Sequence, residues 1–452
     1  MIFKLAYRNI RKSIKDYGVY FFTVALGVAI FYVFNAIETQ TAMMKISSDQ
    51  REIIRLIVAV LSGVSVFVSM VLGFLIIYAN QFLIKRRKKE FGIYLILGMT
   101  KQKVSLILFL ETLMVGILSL AVGLLLGSVL SQLMGIAVAN MFIADVKKFA
   151  FVFVGQGSQN IGMGKEIYEN FSPASELLQN ASDSLKIDFA KLLFNENDLI
   201  NRSEFTQPAI VLNSLMCYLA LKQSVNLEPS FALGHSLGEF SALAVSGAFD
   251  FTDALRIVNL RGKFMQEDCA GKDVTMSVIL GLSDETVEQI CKNAQADGHQ
   301  IYAANYNCDG QIVIAGLKED IAKFESAFKE AGAKRVLPLN MSVVSHCPLL
   351  KSASEKLTAQ LEPALAAKFD PVVSNASAKA YDTKDEALNL LKAQLVSPVL
   401  YKQSIKSIEN EVDIFVEFGG SVLKGINKKI TEKPTFSVTD LGSLEELLKE
   451  LK

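Results

Sequence analysis

The sequence predicts two parts of different fold class, an all-α transmembrane segment of about three helices over residues 1–146 and an α/β domain over residues 147–452. Three observations predict this division. Long uncharged runs lie within residues 1–148, where 17 basic residues outnumber 7 acidic ones. From residue 149 onward, short apolar stretches alternate with helix-like ones, as in α/β folds. A Gly-x-Ser-x-Gly pattern then separates a predicted strand from a predicted helix, which places a candidate reactive serine in the second part.

Three apolar runs predict membrane-spanning helices, over residues 18–37, 56–84 and 106–144. Each is long enough for the ~20 residues that cross the hydrocarbon core. The first run could be a signal peptide, but its apolar core is long and no small-residue cleavage site leads into a soluble domain. Basic residues before the first run and over 85–103 predict that both segments are cytoplasmic, which leaves 38–55 outside.

The third apolar run contains one charged residue, Glu111, which we expect to be an interfacial carboxylate at the cytoplasmic end of its span. The glycines of Gly116–Gly135 suit close helix packing in lipid and predict helices that need partners. A single span would leave residues 147–452 outside, whereas a hairpin, for which the run is short, would return them to the cytoplasm.

Two basic segments carry a resemblance to a known family. Phe3-Lys-Leu-Ala-Tyr-Arg-Asn-Ile-Arg-Lys12 and the loop from Lys85 to Lys103 are similar to the N-terminus and cytoplasmic loop of FtsX-like ABC-transporter permeases. The resemblance covers residues 1–143 and implies a membrane contact through residues 18–144, with an ABC ATPase partner only if this part is functional. The family's further spans do not follow and no Walker A motif is present, so the segment is not expected to pump by itself. The abrupt junction favours an unnatural fusion of two sequences.

The α/β part begins with Phe149–Val154, a predicted buried strand, followed by the Gly-rich loop Gly155-Gln-Gly-Ser-Gln159. Such a loop could bind phosphate, but it lacks both the dinucleotide-binding spacing and a Lys-Ser/Thr ending. We favour the alternative, a loop that offers backbone N–H groups to an oxyanion beside the candidate serine.

Ser236 is the candidate nucleophile. The segment Gly234-His-Ser-Leu-Gly238 lies between the apolar stretch Pro229–Leu233 and a helix-like stretch over 239–245. This context is typical of the nucleophile elbow in a hydrolase-like α/β core. The glycines let the strand and helix backbones approach each other, and the N-terminal amides of the helix favour negative charge near the serine.

A serine hydroxyl needs a base, and the sequence contains three histidines. His235 is adjacent to Ser236, so its side chain should point away, and we expect it to be structural or substrate-lining. His299 lies in a polar stretch and is expected to be solvated. His346 is therefore the candidate base, with an ordinary core or loop histidine as the alternative. An acid between residues 236 and 346 could complete a triad.

Residues 274–343 show a separate pattern. Strand-like and helix-like stretches follow one another there in the order β–α–β–β–α–β, which is that of a ferredoxin-like unit. We therefore predict a small ferredoxin-like subdomain inserted into the larger α/β core.

Five motifs then resemble bacterial malonyl-CoA:acyl-carrier-protein transacylases, in that family's order and spacing over residues 148–440. They are Gly155-Gln-Gly-Ser-Gln159, Gly234-His-Ser-Leu-Gly-Glu239, Arg261-Gly-Lys-Phe-Met-Gln266, Gln311-Ile-Val-Ile-Ala-Gly316 and Ser345-His-Cys347. Two departures concern loop shape. Val154 stands where the family usually has proline, and Gly419-Gly-Ser421 replaces a Gly-Pro-Gly-type turn.

The resemblance implies malonyl transfer from malonyl-CoA to the phosphopantetheine thiol of acyl-carrier protein, as in fatty acid biosynthesis, through a malonyl-Ser236 intermediate. It implies that His346 is the base and that a backbone carbonyl near Gln394 orients its imidazole, as a dyad without an acid. The backbone amides of Gln156 and Leu237 would form the oxyanion hole.

The resemblance also gives Arg261 a role, as the partner of the free malonyl carboxylate. A planar guanidinium fits that carboxylate in a bidentate pair, and a lysine would not replace it well. Arg256 and Lys263 are better candidates for ordinary surface residues of the same helix. Because ester lipids carry no such carboxylate, Arg261 argues against a serine thioesterase or hydrolase, the second enzyme class that shares the Ser–His pair.

Composition argues against other classes of site. The five cysteines are odd in number, without Cys-x-x-Cys spacing, and the histidines are few, so neither a metal site nor a disulfide framework is expected. Such cysteine usage suits a reducing cytosol, where we expect the enzyme chemistry, although the N-terminal segment predicts a membrane location. We expect no bound cofactor and no nucleic-acid partner. A permease subunit fragment with an appended domain is the non-enzyme alternative.

Overall fold

The computed structural model divides the chain into two compact units, Met1–Val146 and Lys147–Lys452. The residues that it describes are 2–36, 67, 69–143, 147–339, 341 and 343–451.

The first unit is all-α where it is described. Its helices are α1 (Ile2–Lys12), α2 (Ile14–Ala36), α3 (69–86), α4 (Lys88–Ile96) and α5 (Lys101–Ile143). Helix α2 packs along α5, and the contact includes glycines of the Gly116–Gly135 stretch for which close packing was predicted. A Cβ atom on Gly123 would lie 2.7 Å from the Ala25 oxygen, and one on Gly127 would lie 3.1 Å from the Ala29 Cα. These two glycines therefore serve packing within this chain.

One described stretch, Lys101–Ala137, is long and apolar enough to cross a membrane. A second would count if Ile2–Lys12 and Tyr17–Val33, which are bent by 91°, form one broken span. Helix α5 runs without a break over 43 residues, so the hairpin alternative is wrong. Much of the predicted span 56–84 lies outside the described residues, and three spans remain a prediction.

Glu111 differs from its expected place at an interface. Its side chain is fully buried and forms an ion pair with Arg87, which is 2% exposed. Asn9 Nδ2 donates a hydrogen bond to it over 2.7 Å, and the Tyr17 hydroxyl donates another. The expectation of an interfacial carboxylate is wrong, because the helices bring a cation and two further donors to this side chain, which makes burial of the charge tolerable.

The second unit is built on a six-stranded sheet. Its strands are β1 (Phe149–Phe153), β2 (Phe231–Gly234), β7 (Lys368–Val373), β8 (Ala380–Thr383), β9 (Ile414–Phe418) and β10 (Thr435–Val438). They lie in the order β10-β9-β1-β2-β7-β8, and all neighbours are parallel except β7 and β8. Every residue of β1 and β9 is buried, as expected for central strands covered on both faces.

Helices surround this sheet. They are α6 (Lys165–Asn170), α7 (Ser172–Leu185), α8 (Phe189–Phe194), α9 (Ser203–Ser224), α10 (Gly238–Val245), α11 (Phe251–Cys269), α14 (Lys351–Leu361), α15 (Lys384–Gln394), α16 (Tyr401–Ile408), α17 (Val422–Asn427) and α18 (Leu441–Glu450). Helix α9 packs against α11, and α10 follows directly after β2, which places the first turn of α10 at the carboxyl end of the sheet.

A second, antiparallel sheet is inserted between α11 and α14. Its elements are β3 (Val274–Leu280), α12 (Asp284–Ala296), β4 (Ile301–Cys308), β5 (Gln311–Leu317), α13 (Lys318–Glu330) and β6 (Arg335–Pro338). The strand order is β4-β5-β3-β6. This inserted unit has its own apolar core, in which Phe328 and Ile314 are fully buried. A parallel bridge between Asn305 and Val399 joins this inserted unit to the rest of the second unit.

Candidate active site

Ser236 lies in the sharp turn between β2 and α10. Its φ angle is 53°, in the left-handed region that residues other than glycine rarely adopt. A Cβ atom on Gly234 would lie 2.0 Å from the carbonyl carbon of Gly238. One on Gly238 would lie 2.0 Å from the Phe153 oxygen. Only glycine therefore fits two residues before the serine and two residues after it.

Ser236 and His346 form a hydrogen-bonded pair, with Oγ 2.6 Å from Nε2 of the imidazole. The other ring nitrogen, Nδ1, lies 2.7 Å from the Gln394 carbonyl oxygen. Because a carbonyl can only accept, Nδ1 carries the proton and Nε2 is free to accept from the serine. Burial, helped by the nearby Arg261 charge, lowers the pKa of His346 to about 3, so the imidazole is neutral at physiological pH.

Arg261 is 1% exposed and lies beside the same serine. It donates from Nη1 to Gln207 Oε1 over 2.9 Å and from Nη2 to Ser236 Oγ over 3.2 Å. A third, longer contact of 3.3 Å joins Nη2 to Gln394 Oε1. Burial lowers the pKa of Arg261 to about 10, against the opposing charge of Glu239. Its hydrogen-bond acceptors among the described residues are all neutral oxygens, and none belongs to a carboxylate.

The two Gly-rich loops meet at this point. A Cβ atom on Gly155 would lie 2.4 Å from the His235 oxygen, so the loop after β1 packs directly on the elbow. The backbone amides of Gln156 and Leu237 donate to no protein acceptor within the described part of the chain. Both are thus available to an oxygen atom held near Ser236.

A cavity of about 240 Å³ opens beside Ser236, between the inserted unit and the rest of the second unit. Met276, Leu339 and Met341 give it an apolar wall, and Asn305, Asn307, Gln311, His235, Ser236, Arg261 and His346 add polar groups. Nε2 of His235 lies 2.8 Å from Asn307 Oδ1, and burial lowers the pKa of this histidine. His235 lines the cavity and is paired away from the dyad.

Three polar residues of the site have no role in the sequence analysis. Asn375, just after β7, accepts a hydrogen bond from the Ser236 amide over 2.6 Å and donates one to the Gly234 oxygen over 2.7 Å. Gln207 holds Arg261, and Glu239 lies fully buried beneath the elbow. Asn375 could have been found from its position directly after a strand of the parallel sheet, because functional side chains of such sheets lie at the carboxyl ends of the strands.

The remaining charged candidates lie apart from the site. His299 is only 20% exposed and pairs through Nδ1 with Asp320 over 2.6 Å, so its expected solvation is wrong. This carboxylate approaches from the next helix, α13. Arg256 is 40% exposed and pairs with Asp253, and Lys263 is exposed, as expected of surface residues. All five cysteines are unpaired and buried, and the described residues contain no metal-binding group of three or more His, Cys, Asp or Glu side chains.

The two departures from the family pattern face each other. A Cβ atom on Gly420 would lie 2.8 Å from Val154 Cγ1. A branched side chain before the first Gly-rich loop therefore leaves room only for glycine in the later turn.

Comparisons with known proteins place both parts of the chain. Residues 150–437 match the acyl transferase domain family, and residues 62–156 match the family described as FtsX-like permease C-terminal. Both resemblances read from the motifs are thereby confirmed. The two matched ranges overlap at the junction of the units.

Among the curated relatives, the malonyl CoA-acyl carrier protein transacylase of Bacillus subtilis is 38% identical, over 68% of this chain and 98% of the relative. That of Escherichia coli is 39% identical, over 64% of this chain and 95% of the relative.

Solved structures agree with these relatives. The crystal structure of the Helicobacter pylori malonyl-CoA:acyl carrier protein transacylase superposes with a TM-score of 0.65 at 47% identity, covering 68% of this chain and 99% of that one. A malonyl-transacylase solved in complex with a type II polyketide synthase acyl-carrier protein gives a TM-score of 0.65 at 37% identity, covering 67% of this chain and 99% of that one. The chain belongs to the acyl transferase family and, within it, to the malonyl-CoA:acyl-carrier-protein transacylases.

Proposed function

We propose that this protein transfers a malonyl group from malonyl-CoA to the phosphopantetheine thiol of acyl-carrier protein, through a malonyl ester on Ser236. One observation carries the proposal. The Ser236 Oγ atom lies within hydrogen-bond distance of both a neutral imidazole and a buried guanidinium, at 2.6 Å from His346 and 3.2 Å from Arg261. The first contact supports nucleophilic attack, and the second supports selection of an acyl group that carries its own carboxylate.

The reaction follows from these contacts. His346 Nε2 accepts the hydroxyl proton as Ser236 Oγ bonds to the thioester carbon. The amides of Gln156 and Leu237 stabilise the oxyanion. As the C–S bond breaks, the proton passes from His346 to the departing thiolate. The carrier thiol then reverses these steps, giving its proton to His346, attacking the ester carbon and restoring the serine hydroxyl.

Arg261 supplies selectivity. The malonyl carboxylate would give this buried cation an acceptor of opposite charge, whereas its acceptors among the described residues are neutral oxygens. A charge-assisted pair of this kind contributes about 2–3 kcal/mol, which corresponds to a preference of roughly 30- to 150-fold over acetyl. This contact is also the reason to prefer a transacylase to a thioesterase or lipase-like hydrolase with the same dyad.

The domain roles belong to the same proposal. Residues 274–343 form a ferredoxin-like subdomain, supported by the strand order β4-β5-β3-β6, and it closes the cavity with Asn305 and Asn307. Residues 1–146 attach the protein to a membrane, and the chemistry takes place in the cytoplasm. Three full spans from a cytoplasmic N-terminus would leave residues 147–452 outside, so this location requires an even number of crossings, as α5 and the bent pair Ile2–Lys12 with Tyr17–Val33 would provide. An ABC ATPase partner follows only if the permease-like part is functional. Carbonate extraction of membranes tests the attachment, which is wrong if the chain is released.

Covalent labelling tests the enzyme function. The full chain is mixed with malonyl-CoA radiolabelled in the malonyl group, denatured and run on a gel. We expect label on the wild-type chain, release of that label by the carrier thiol, and none on Ser236→Ala. Ser241→Ala is the matched control, since Ser241 is a buried serine within α10, five residues after Ser236, and this variant should label normally. A folded wild-type chain without label would overturn the proposal.

A further inference from the structure

Glu239 contacts several parts of the site without touching the cavity. It is fully buried in the first turn of α10. We propose that Glu239 is a positioning residue, which sets the orientation of the Gln394 side-chain amide and, through that amide, the pose of Arg261. The inference rests on the proposed function and deepens it, because it adds a residue that governs recognition of the acyl carboxylate.

The side-chain amide of Gln394 connects Glu239 with Arg261. Its nitrogen Nε2 donates to Glu239 Oε2 over 2.7 Å and to the Ser236 carbonyl oxygen over 3.1 Å. Its oxygen Oε1 accepts from Arg261 Nη2 over 3.3 Å. A flipped amide would place an oxygen against two acceptors and an NH₂ group against a guanidinium. The surroundings therefore specify one orientation, and the shortest contact that specifies it comes from Glu239.

Glu239 is itself held in place. Its other oxygen, Oε1, accepts a hydrogen bond from the Tyr381 hydroxyl over 2.8 Å. Oε2 also accepts one from the backbone N–H of Asn375 over 3.1 Å. All three partners of the carboxyl group are donors, so it acts only as an acceptor. Burial raises the pKa of Glu239, while these hydrogen bonds and the Arg261 charge oppose that rise.

Gln394 has two separate functions in this arrangement. Its backbone carbonyl orients His346, which any acyl group requires, and its side chain orients Arg261, which only a carboxylate-bearing acyl group requires. Loss of the Glu239 acceptor frees the side chain without touching the carbonyl. The rate with malonyl-CoA should then fall while the rate with acetyl-CoA is preserved.

The test measures the second-order rate constants for acylation of the full chain by malonyl-CoA and by acetyl-CoA. Glu239→Met removes the acceptor, and we expect the malonyl-to-acetyl ratio to fall about tenfold, the effect of losing one charge-assisted contact. Glu239→Gln keeps an amide oxygen that can accept from Gln394, so it should retain the ratio within about threefold. Glu417→Gln changes another buried glutamate of the same unit and should leave the ratio unchanged.

Each outcome decides the matter. Equal losses with both substrates in Glu239→Met would make Glu239 merely structural, and loss of the ratio in Glu239→Gln would mean that it acts by charge; either overturns the inference. If Glu239→Met does not fold, Gln394→Met replaces it, because that variant keeps the carbonyl and must lose the ratio as well. A wild-type chain that neither substrate acylates would refute the proposed function instead.

Discussion

Each unit of the described chain buries an arginine, and the two arginines have different partners. Arg87, in the helical unit, is 2% exposed and forms ion pairs with Glu90 and Glu111. Arg261, in the α/β unit, is 1% exposed, and among the described residues it donates hydrogen bonds only to neutral oxygens, on Gln207, Ser236 and Gln394. Both keep one guanidinium nitrogen without a partner among the described residues, so the difference lies in charge and not in the number of hydrogen bonds.

The two sets of partners leave the two buried cations with different charge environments. Arg87 has its counterion inside the helical unit, so it holds helices together and has no charge to offer a ligand. Near Arg261 the closest buried carboxylate, Glu239, is separated from it by the Gln394 amide, which contacts both. That spacing leaves a desolvated positive charge next to Ser236, the proposed nucleophile, where the carboxylate of the proposed malonyl substrate would pair with it.

The largest effect is expected from removing the counterion of Arg87. Glu111→Leu leaves a buried arginine unpaired and should destabilise the helical unit by about 3–5 kcal/mol. The chain contains no tryptophan, so Phe21→Trp provides a fluorescent probe of this unit alone in detergent. Glu90→Gln is the control, because Glu90 is 41% exposed, and should cost about 1 kcal/mol or less. Equal losses would contradict the distinction between a buried pair and an exposed one.

Removing Arg261 should lower activity and should not impair folding. Arg261→Met should lower the rate of Ser236 acylation by malonyl-CoA by roughly 30- to 150-fold and leave acetyl-CoA nearly unaffected. The melting temperature should hold or rise, because the desolvation of an unpaired charge is removed. Arg256→Met, on the exposed face of α11, should change neither rate. A fall in stability as large as that of Glu111→Leu would mean that Arg261 is structural.

The pH dependence of acylation reports the protonation state of His346, which is buried beside Arg261. With its pKa near 3, His346 stays neutral, so acylation should be flat from pH 8 to 5. A histidine of ordinary pKa, about 6.5, would lose roughly 30-fold by pH 5. In the unfolded chain the pKa of His346 is about 6.5, so below that pH the unfolded chain binds more protons than the folded one. The contribution of His346 to the free energy of unfolding therefore falls as the pH drops from about 6.5.

Arg261→Met removes one cause of the low pKa of His346, and its acylation rate should therefore begin to fall at a higher pH than in the wild type. Quenched-flow labelling across this pH range measures both proteins. Identical profiles would show that burial alone sets the pKa.

The smallest effect concerns packing in the helical unit. Gly123→Ala places a Cβ atom 2.7 Å from the Ala25 oxygen and should destabilise the unit by about 1 kcal/mol. Gly116 has open space around its Cα, so Gly116→Ala should be neutral or stabilise the helix by up to about 1 kcal/mol. The Phe21→Trp probe measures both. Two equal effects would rule out close packing of α2 on α5 as the cause.

The candidate reacting groups were predictable from the sequence, whereas the hydrogen-bond network around them was not. Ser236 was predictable because its glycines and flanking elements lie within a few residues of it. His346 and Arg261 followed from motifs of the same local kind. Glu111 was misjudged, because its neighbours along α5 are apolar and gave no sign of the arginine that reaches it.

Local sequence patterns were enough to predict the two-part division of the chain, the elbow at Ser236 and its histidine partner. These depend on apolar runs, glycine spacing and short motifs, all properties of neighbouring residues. The contacts of Glu239 with Gln394 and of Asn375 with Ser236 join residues 155 and 139 positions apart, and they became visible only in the folded chain. Hydrogen-bond partners at such distances are chosen by how strands and helices pack, and a polar side chain carries no local pattern that announces its partner.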